Sequence, residues 1–263
     1  MNIDFTWIGG ATFIITIDEL KMACDPVLCS KGTKQDYFWF TSKRLENPVY
    51  SESDFENVDI WFITHNHNDH LDDKGLSYIS NTSQIVCNSN SSKKLLKKGI
   101  KNLSILTWKE VKTFKIKDFD IEIETIPAVH GVNPLSAFFA GKGNGYFVKI
   151  TKGFDVFSFY ITGDTVYKNV VMDALKGKNI NLLIPNMGAA KSGTWIMTLT
   201  LNAKMLNAMI LKTNPKLIIP VHFGTFEHYN ESIDKILDLN NPKIKILQVW
   251  EQLNINNFNP TCN

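Results

Sequence analysis

Arginine is almost missing from this 263-residue chain: Arg44 is the single one among 28 basic residues. Arginine is the usual forked partner of phosphate and carboxylate, so the lone residue is notable, although a lysine- and asparagine-heavy composition accounts for it more simply. Charge of one sign is also lacking, since the formal net charge is only +2, and a nucleic-acid partner is not expected. The four cysteines, Cys24, Cys29, Cys87 and Cys262, are scattered without a C-x-x-C pair, which excludes a disulfide frame and a thiolate zinc site. No long uncharged apolar run is present, so no membrane span is expected. Met1 to Phe5 lacks the basic and apolar regions of a secretory signal, and the expected location is cytoplasmic. There is no G-x-S-x-G elbow, which removes serine hydrolase chemistry. Gly141-Lys142-Gly143-Asn144-Gly145 lacks the ending of a phosphate loop and reads as a turn.

What is present is an ordinary globular composition, 44% hydrophobic and 21% charged, long enough for a substantial core. One domain over residues 1–263 is expected. Alternating apolar residues predict strands over 3–8, 12–17 and 20–24, ending at Asp25-Pro26. Residues 27–57 lack a clean period and carry the aromatic run Tyr37-Phe38-Trp39-Phe40. They read as an insertion that is a lid, a packing element or a subunit contact. Further on, a short helix at 72–79, strand 84–87, helix 92–98 and strand 104–106 imply a parallel βαβ unit. A hairpin over 111–126 follows, and then strands 145–151 and 156–161, helix 169–176 and strand 181–185. The last elements expected are helix 201–212, strand 216–221, helix 231–239 and strand 244–250. Two halves of strands alternating with helices fit a sandwich of two mixed sheets with helices outside.

The densest chemistry lies in Thr64-His65-Asn66-His67-Asn68-Asp69-His70, directly after the apolar run Val58 to Ile63. Three imidazoles and a carboxylate within six residues are too costly for a core and wasteful on a surface. His65 and His67, two apart on an extended segment, point to the same side and can hold one ion. Asp69 and His70 follow as the chain turns, and can face a second position. His130, Asp164 and His222 each sit at the end of a strand or hairpin, where ligands collect in open α/β sheets. Taken singly, each is more simply a hydrogen-bonded strand end or a turn, and Asp25 a turn or cap. Together they supply a nitrogen and oxygen donor set suited to two divalent transition-metal ions, zinc first, with manganese or iron accommodated.

Five segments carry a resemblance over nearly the whole length. They are Asp25-Pro26, His65 to His70, His130-Gly131, Gly163-Asp164-Thr165 and Pro220-Val221-His222-Phe223-Gly224-Thr225. The chain resembles a metallo-β-lactamase-fold hydrolase. Trp7 to Thr12 and Ile219 to Thr225 are similar to the branch of ascorbate-6-phosphate lactonase-like and N-acyl phosphatidylethanolamine phospholipase D-like proteins. That branch often has His where this chain has Gly10. The resemblance implies a four-layer αββα sandwich with a dinuclear site at one edge. It implies that His65, His67 and His130 bind one metal and Asp69, His70 and His222 the other, with Asp164 bridging and Asp25 supporting from behind. His67, in place of the Glu common in oxygen-reducing diiron relatives, favours hydrolysis.

The expected activity is attack by a metal-bridged hydroxide on a phosphodiester or a lactone or other ester, with Asp69 and Asp164 as catalytic residues. The expected partner is a small-molecule substrate, and a homo-oligomer is left open. Arg44, Trp195 and His228 are candidate substrate contacts, His228 reading more simply as a surface residue at a helix start. A metal-bound scaffold or sensor without turnover, or a nuclease-type relative, is the alternative.

Overall fold

The computed structural model describes residues 1–37, 40–133, 141–191 and 198–258. Trp195, Phe38, Trp39 and Cys262 lie outside the described residues. The first strands are β1 (Ile3–Gly9), β2 (Thr12–Ile17), β3 (Leu20–Cys24), β4 (Lys34–Asp36), β5 (Thr41–Lys43), β6 (Ile60–Phe62), β7 (Gln84–Cys87) and β8 (Leu103–Ile105). They continue with β9 (Val111–Ile116), β10 (Phe119–Val129), β11 (Lys142–Lys152), β12 (Asp155–Ile161), β13 (Leu182–Ile184), β14 (Leu217–Ile218) and β15 (Gln252–Asn254). Among the described residues they form a seven-stranded sheet, ordered β15-β1-β2-β3-β6-β7-β8, a six-stranded sheet, β14-β13-β12-β11-β10-β9, and the small β4-β5 hairpin.

The alternation read from sequence is what pairs the two large sheets. In β10, Phe119, Ile121 and Ile123 are buried while Asp120, Glu122 and Glu124 alternate outward or toward the margin. Phe62 of β6 meets Phe159 of β12 edge-on at 6.1 Å, and Tyr146 of β11 at 5.4 Å. Each such aromatic removes enough apolar surface from water to contribute about 1.5–3 kcal/mol. The Tyr146 hydroxyl donates to the carbonyl of Ile63 at 2.8 Å, so a polar link also crosses between the sheets. Truncating Phe159 to Ala would open a void between both layers, costing about 3–5 kcal/mol.

Direction, rather than composition, positions the site. β3, β6, β7 and β8 run parallel, as do β12, β13 and β14, and β10 shares the direction of β12 because both are antiparallel to β11. Residues that follow these strands therefore emerge at a common edge. Helices Asp73–Leu76, Ser89–Lys97, Asn169–Ala174 and Ala203–Thr213 lie close to their expected ranges, three of them capped by Asp72, Asn88 and Asn202 accepting from backbone N–H groups. No described helix is long and apolar enough to cross a membrane.

Two expectations change. The apolar stretch 244–250 is not a strand; Ile244 makes one isolated bridge to Ile218, and the last strand is β15 beside β1. Its apolar residues cover the core instead, Leu247 being buried. The strand expected over 216–221 shortens to Leu217–Ile218, because Pro220 has no N–H to give the ladder; pairing resumes where the Val221 amide reaches Pro185. The described residues of 27–57 include the β4-β5 hairpin and a 3-10 turn at Glu52–Phe55.

Candidate metal centre

Asp25 follows β3, and Thr64 and His65 follow β6, one strand over. The Asp25 carboxylate accepts from the Thr64 backbone N–H at 2.8 Å and from its hydroxyl at 2.6 Å, and its Oδ2 lies 2.7 Å from His70 Nδ1. His70 is brought back by a tight turn in which its N–H, and that of Leu71, donate to the His67 carbonyl. Across the gap, β12 is followed by Thr162-Gly163-Asp164. Gly163 has φ +56, and a Cβ there would stand 2.8 Å from the Asn144 carbonyl oxygen, so only glycine lets Asp164 come this close to Thr64 and β11. His222 also has a positive φ, +63, with its N–H donating to the Gly10 carbonyl at 2.9 Å. Gly10 thus acts here through its carbonyl oxygen.

The candidate ligands gather into two groups: His65, His67 and His130, and Asp69, His70, Asp164 and His222, the donor atoms in each lying within 4.8 Å of one another. In the first, His67 Nδ1 is 3.0 Å from His65 Nε2 and 3.3 Å from His130 Nε2. In the second, His70 Nε2 and His222 Nε2 are 3.1 Å apart. Asp164 faces both: Oδ2 is 3.4 Å from His130 Nε2, and Oδ1 is 3.2 Å from His70 Nε2 and 3.5 Å from His222 Nε2. Asn186, just past β13, donates to the same Oδ1 at 2.9 Å.

The chemistry of these residues fits bound metal cations. His130 Nδ1 faces the Leu199 carbonyl, His222 Nδ1 the Met187 carbonyl, and His70 Nδ1 the Asp25 carboxylate. All three acceptors can only accept, so the proton sits on Nδ1. Thr64 Oγ1, having given its own proton to Asp25, accepts from His65 Nδ1 at 3.1 Å. The Nε2 atoms converge on one another and on carboxylate oxygens, an arrangement satisfied by a positive charge, a metal ion or, at His70, a proton. Asp69 Oδ1 is buried with no hydrogen-bond partner, a polar atom that a cation would satisfy.

The electrostatics of these groups follow from their crowding. Burial, and then His70 and His67, hold His65 well below the ordinary imidazole range. Burial and then His130 bring His67 to about 4, and burial lowers His130 against the pull of Asp164. His70 moves the opposite way: burial disfavours its charge, but Asp164, Asp25 and Asp69 raise it well above the usual value. Burial opposes ionisation of Asp69 and Asp164, yet the histidines around them, His70 first for Asp69 and His222 first for Asp164, keep both well below the carboxylate range.

His228 is not a surface residue. It is buried, with Nε2 3.0 Å from Asp69 Oδ2 and Nδ1 2.7 Å from Ser42 Oγ, and Tyr229 donates to the same Asp69 oxygen at 3.2 Å. The β4-β5 hairpin stands beside the metal groups: Tyr37 stacks on Phe40 at 4.6 Å and meets His67 edge-on at 6.1 Å. Burial, and then the neighbouring Asp69, push the Tyr37 phenol well above its ordinary value. Arg44 is drawn inside instead of facing a pocket. It is fully buried, donating to the carbonyls of Glu46 and Val27 at 2.8 Å each and lying over the Phe226 ring. Sequence reasoning missed Thr64, Asn186, Ser42 and Tyr229. The one available signal was adjacency, Thr64 to His65 and Tyr229 to His228.

Paired mixed sheets whose parallel strands deliver histidines and aspartates to one edge define a metal-dependent hydrolase of the metallo-β-lactamase fold. The chain belongs to the Beta-lactamase superfamily domain family, whose model matches residues 4–222. It is 26% identical over 233 residues to a UPF0173 metal-dependent hydrolase of Koribacter versatilis, covering 86% of each chain. It is also 26% identical over 261 residues to the N-acyl-phosphatidylethanolamine-hydrolyzing phospholipase D 1 of Caenorhabditis elegans, covering 89% of this chain and 68% of that one. Among solved structures, a possible metal-dependent hydrolase from Veillonella parvula superposes with a TM-score of 0.81 at 23% identity, over 97% of this chain and 100% of the other.

Proposed function

We propose that the centre holds two divalent ions, zinc first, and that the protein hydrolyses an ester bond of a phosphodiester or lactone. The observation carrying this reading is Asp164, whose two carboxylate oxygens each face a different ligand group. His65, His67 and His130 would hold one ion and Asp69, His70 and His222 the other, with Asp164 between them. When bound, such a pair supplies Lewis acidity and lowers the pKa of water toward neutrality. The chain's own residues do the rest. Asp25 orients the His70 ring, while Leu199 and Met187 orient His130 and His222 through their carbonyls. Asp69 Oδ1, lacking a partner, is the acceptor available to orient an attacking water. Tyr37 and Phe40 form an aromatic wall on the substrate side. Similarity to the N-acyl-phosphatidylethanolamine-hydrolyzing relative supports the phosphodiester arm.

Elemental analysis together with generic phosphodiester and lactone substrates tests the reading. Two equivalents of metal per chain and turnover on one substrate class are expected, with turnover lost in Asp164→Ala. A single equivalent would remove the dinuclear reading. Full metal loading without turnover on any ester would leave a metal-bound scaffold.

A further inference from the structure

Asp69 differs from Asp164 in how the protein holds it. Its Oδ2 lies 3.0 Å from His228 Nε2, accepts from the Tyr229 hydroxyl at 3.2 Å, and stands 3.4 Å from His222 Nε2, while Oδ1 is buried without a partner. A carboxylate only accepts, so His228 Nε2 carries the hydrogen. Nδ1 then accepts from the Ser42 hydroxyl at 2.7 Å, the hydroxyl rotor being free to turn its proton inward. Ser42 is buried at the centre of β5, and the flanking Lys43 is tied to the segment carrying His228: its N–H donates to Glu227 Oε2, and its carbonyl accepts from the Glu227 N–H, both at 3.0 Å. Rings enclose His228 on several sides, Tyr37 at 5.3 Å, Phe40 at 5.7 Å and Phe226 at 5.8 Å. A buried imidazole so enclosed has little rotational freedom.

We infer that His228 is a positioning residue. Held by Ser42 of the aromatic hairpin, it fixes the Asp69 carboxylate in the orientation that binds the second metal. This rests on the reading that Asp69 belongs to a metal group. The chain Ser42 to His228 to Asp69 makes the hairpin beside the substrate side a structural part of that metal group. A shift of β5 would be felt at Asp69 through two hydrogen bonds.

The test is cobalt titration of the full-length apoprotein, following d–d absorption as the two groups fill, with a chelator competition to give each affinity. His228→Ala should weaken the site containing Asp69 by roughly 10–100-fold, the usual effect of removing a hydrogen-bonding partner behind a metal ligand, while the three-histidine site changes little. His228→Gln, whose amide nitrogen reaches the place of Nε2, should recover much of the loss. Ser42→Ala should fall between the wild type and His228→Ala, and it answers the question if His228→Ala does not fold. A merely structural histidine would lower the apoprotein's melting temperature and leave both cobalt affinities and spectra as in the wild type, which overturns the inference. If the wild type fills both sites and His228→Ala matches it within about twofold, against the 10–100-fold expected, this inference alone fails. Wild-type protein that binds no cobalt overturns the metal reading and this inference with it.

Discussion

Asp25 Oδ2 lies 2.7 Å from His70 Nδ1, although 45 residues separate them. Both side chains are buried, and the same carboxylate holds Thr64 through two further hydrogen bonds. Asp25 itself is in a left-handed conformation, φ +41, a backbone state that side chains other than glycine adopt at some cost. Asp25→Asn would turn an acceptor-only group into one that presents N–H to either Thr64 or His70. Stability should fall by about 1–3 kcal/mol, and metal affinity of the group containing His70 by roughly 10–100-fold. Melting curves and chelator competition on the same sample read both. Wild-type affinity in the variant would mean that His70 is oriented by something else.

Proton linkage has a sign that can be worked out. His65, His67 and His130 have folded pKa values below the unfolded value near 6.5, His67 at about 4. Between those limits the unfolded chain binds more protons than the native one, so these groups make the metal-free protein lose stability as pH falls. The depressed Asp69 and Asp164 contribute stability above the usual carboxylate range that disappears as pH falls through their folded values. His70, raised, contributes most below the unfolded value and loses its contribution as pH rises through the folded one. In chelator the melting temperature should fall between pH 6.5 and 4, less steeply in His67→Ala. An unchanged slope in that variant would count against a neutral, half-buried His67.

The same raised His70 makes metal binding a proton-releasing step. At neutral pH the ion must displace its proton, so calorimetry in buffers of different ionisation enthalpy should report about one proton released on filling the group that contains His70. Zero release would show His70 already deprotonated before the metal arrives.

Arg44 is a strut with a measurable load. Its guanidinium donates to the carbonyls of Val27 and Glu46, and its backbone carbonyl and N–H pair with Gly32 and Thr33. Arg44→Met keeps the volume and removes the fork. Stability should drop by about 2–4 kcal/mol, because charged hydrogen bonds are lost and the carbonyls they served stay buried. A variant that melts like the wild type while its KM rises would return Arg44 to substrate binding.

Local pattern made much of this protein legible. The first three strands, Gln84–Cys87 and the hairpin over 111–126 follow from side-chain alternation, which depends only on neighbours along the chain. The cluster His65 to His70 declared its chemistry for the same reason, four donors being close before any folding. Where the pattern failed, a distant segment decided. The apolar run 244–250 matched a strand but found core surface instead of a ladder partner, and periodicity does not distinguish these two uses.

The sequence by itself determined the local strand and helix pattern and the candidate donors of the 65–70 cluster, since both are written in short-range spacing. Only the tertiary structure decided that Asp25, His130, Asp164 and His222 meet the cluster, because parallel strands carry their ends to one edge wherever they lie in the chain. It also decided the fates of His228 and Arg44. Burial of a polar side chain depends on the partner that satisfies it, and for His228 that partner, Asp69, is 159 residues away.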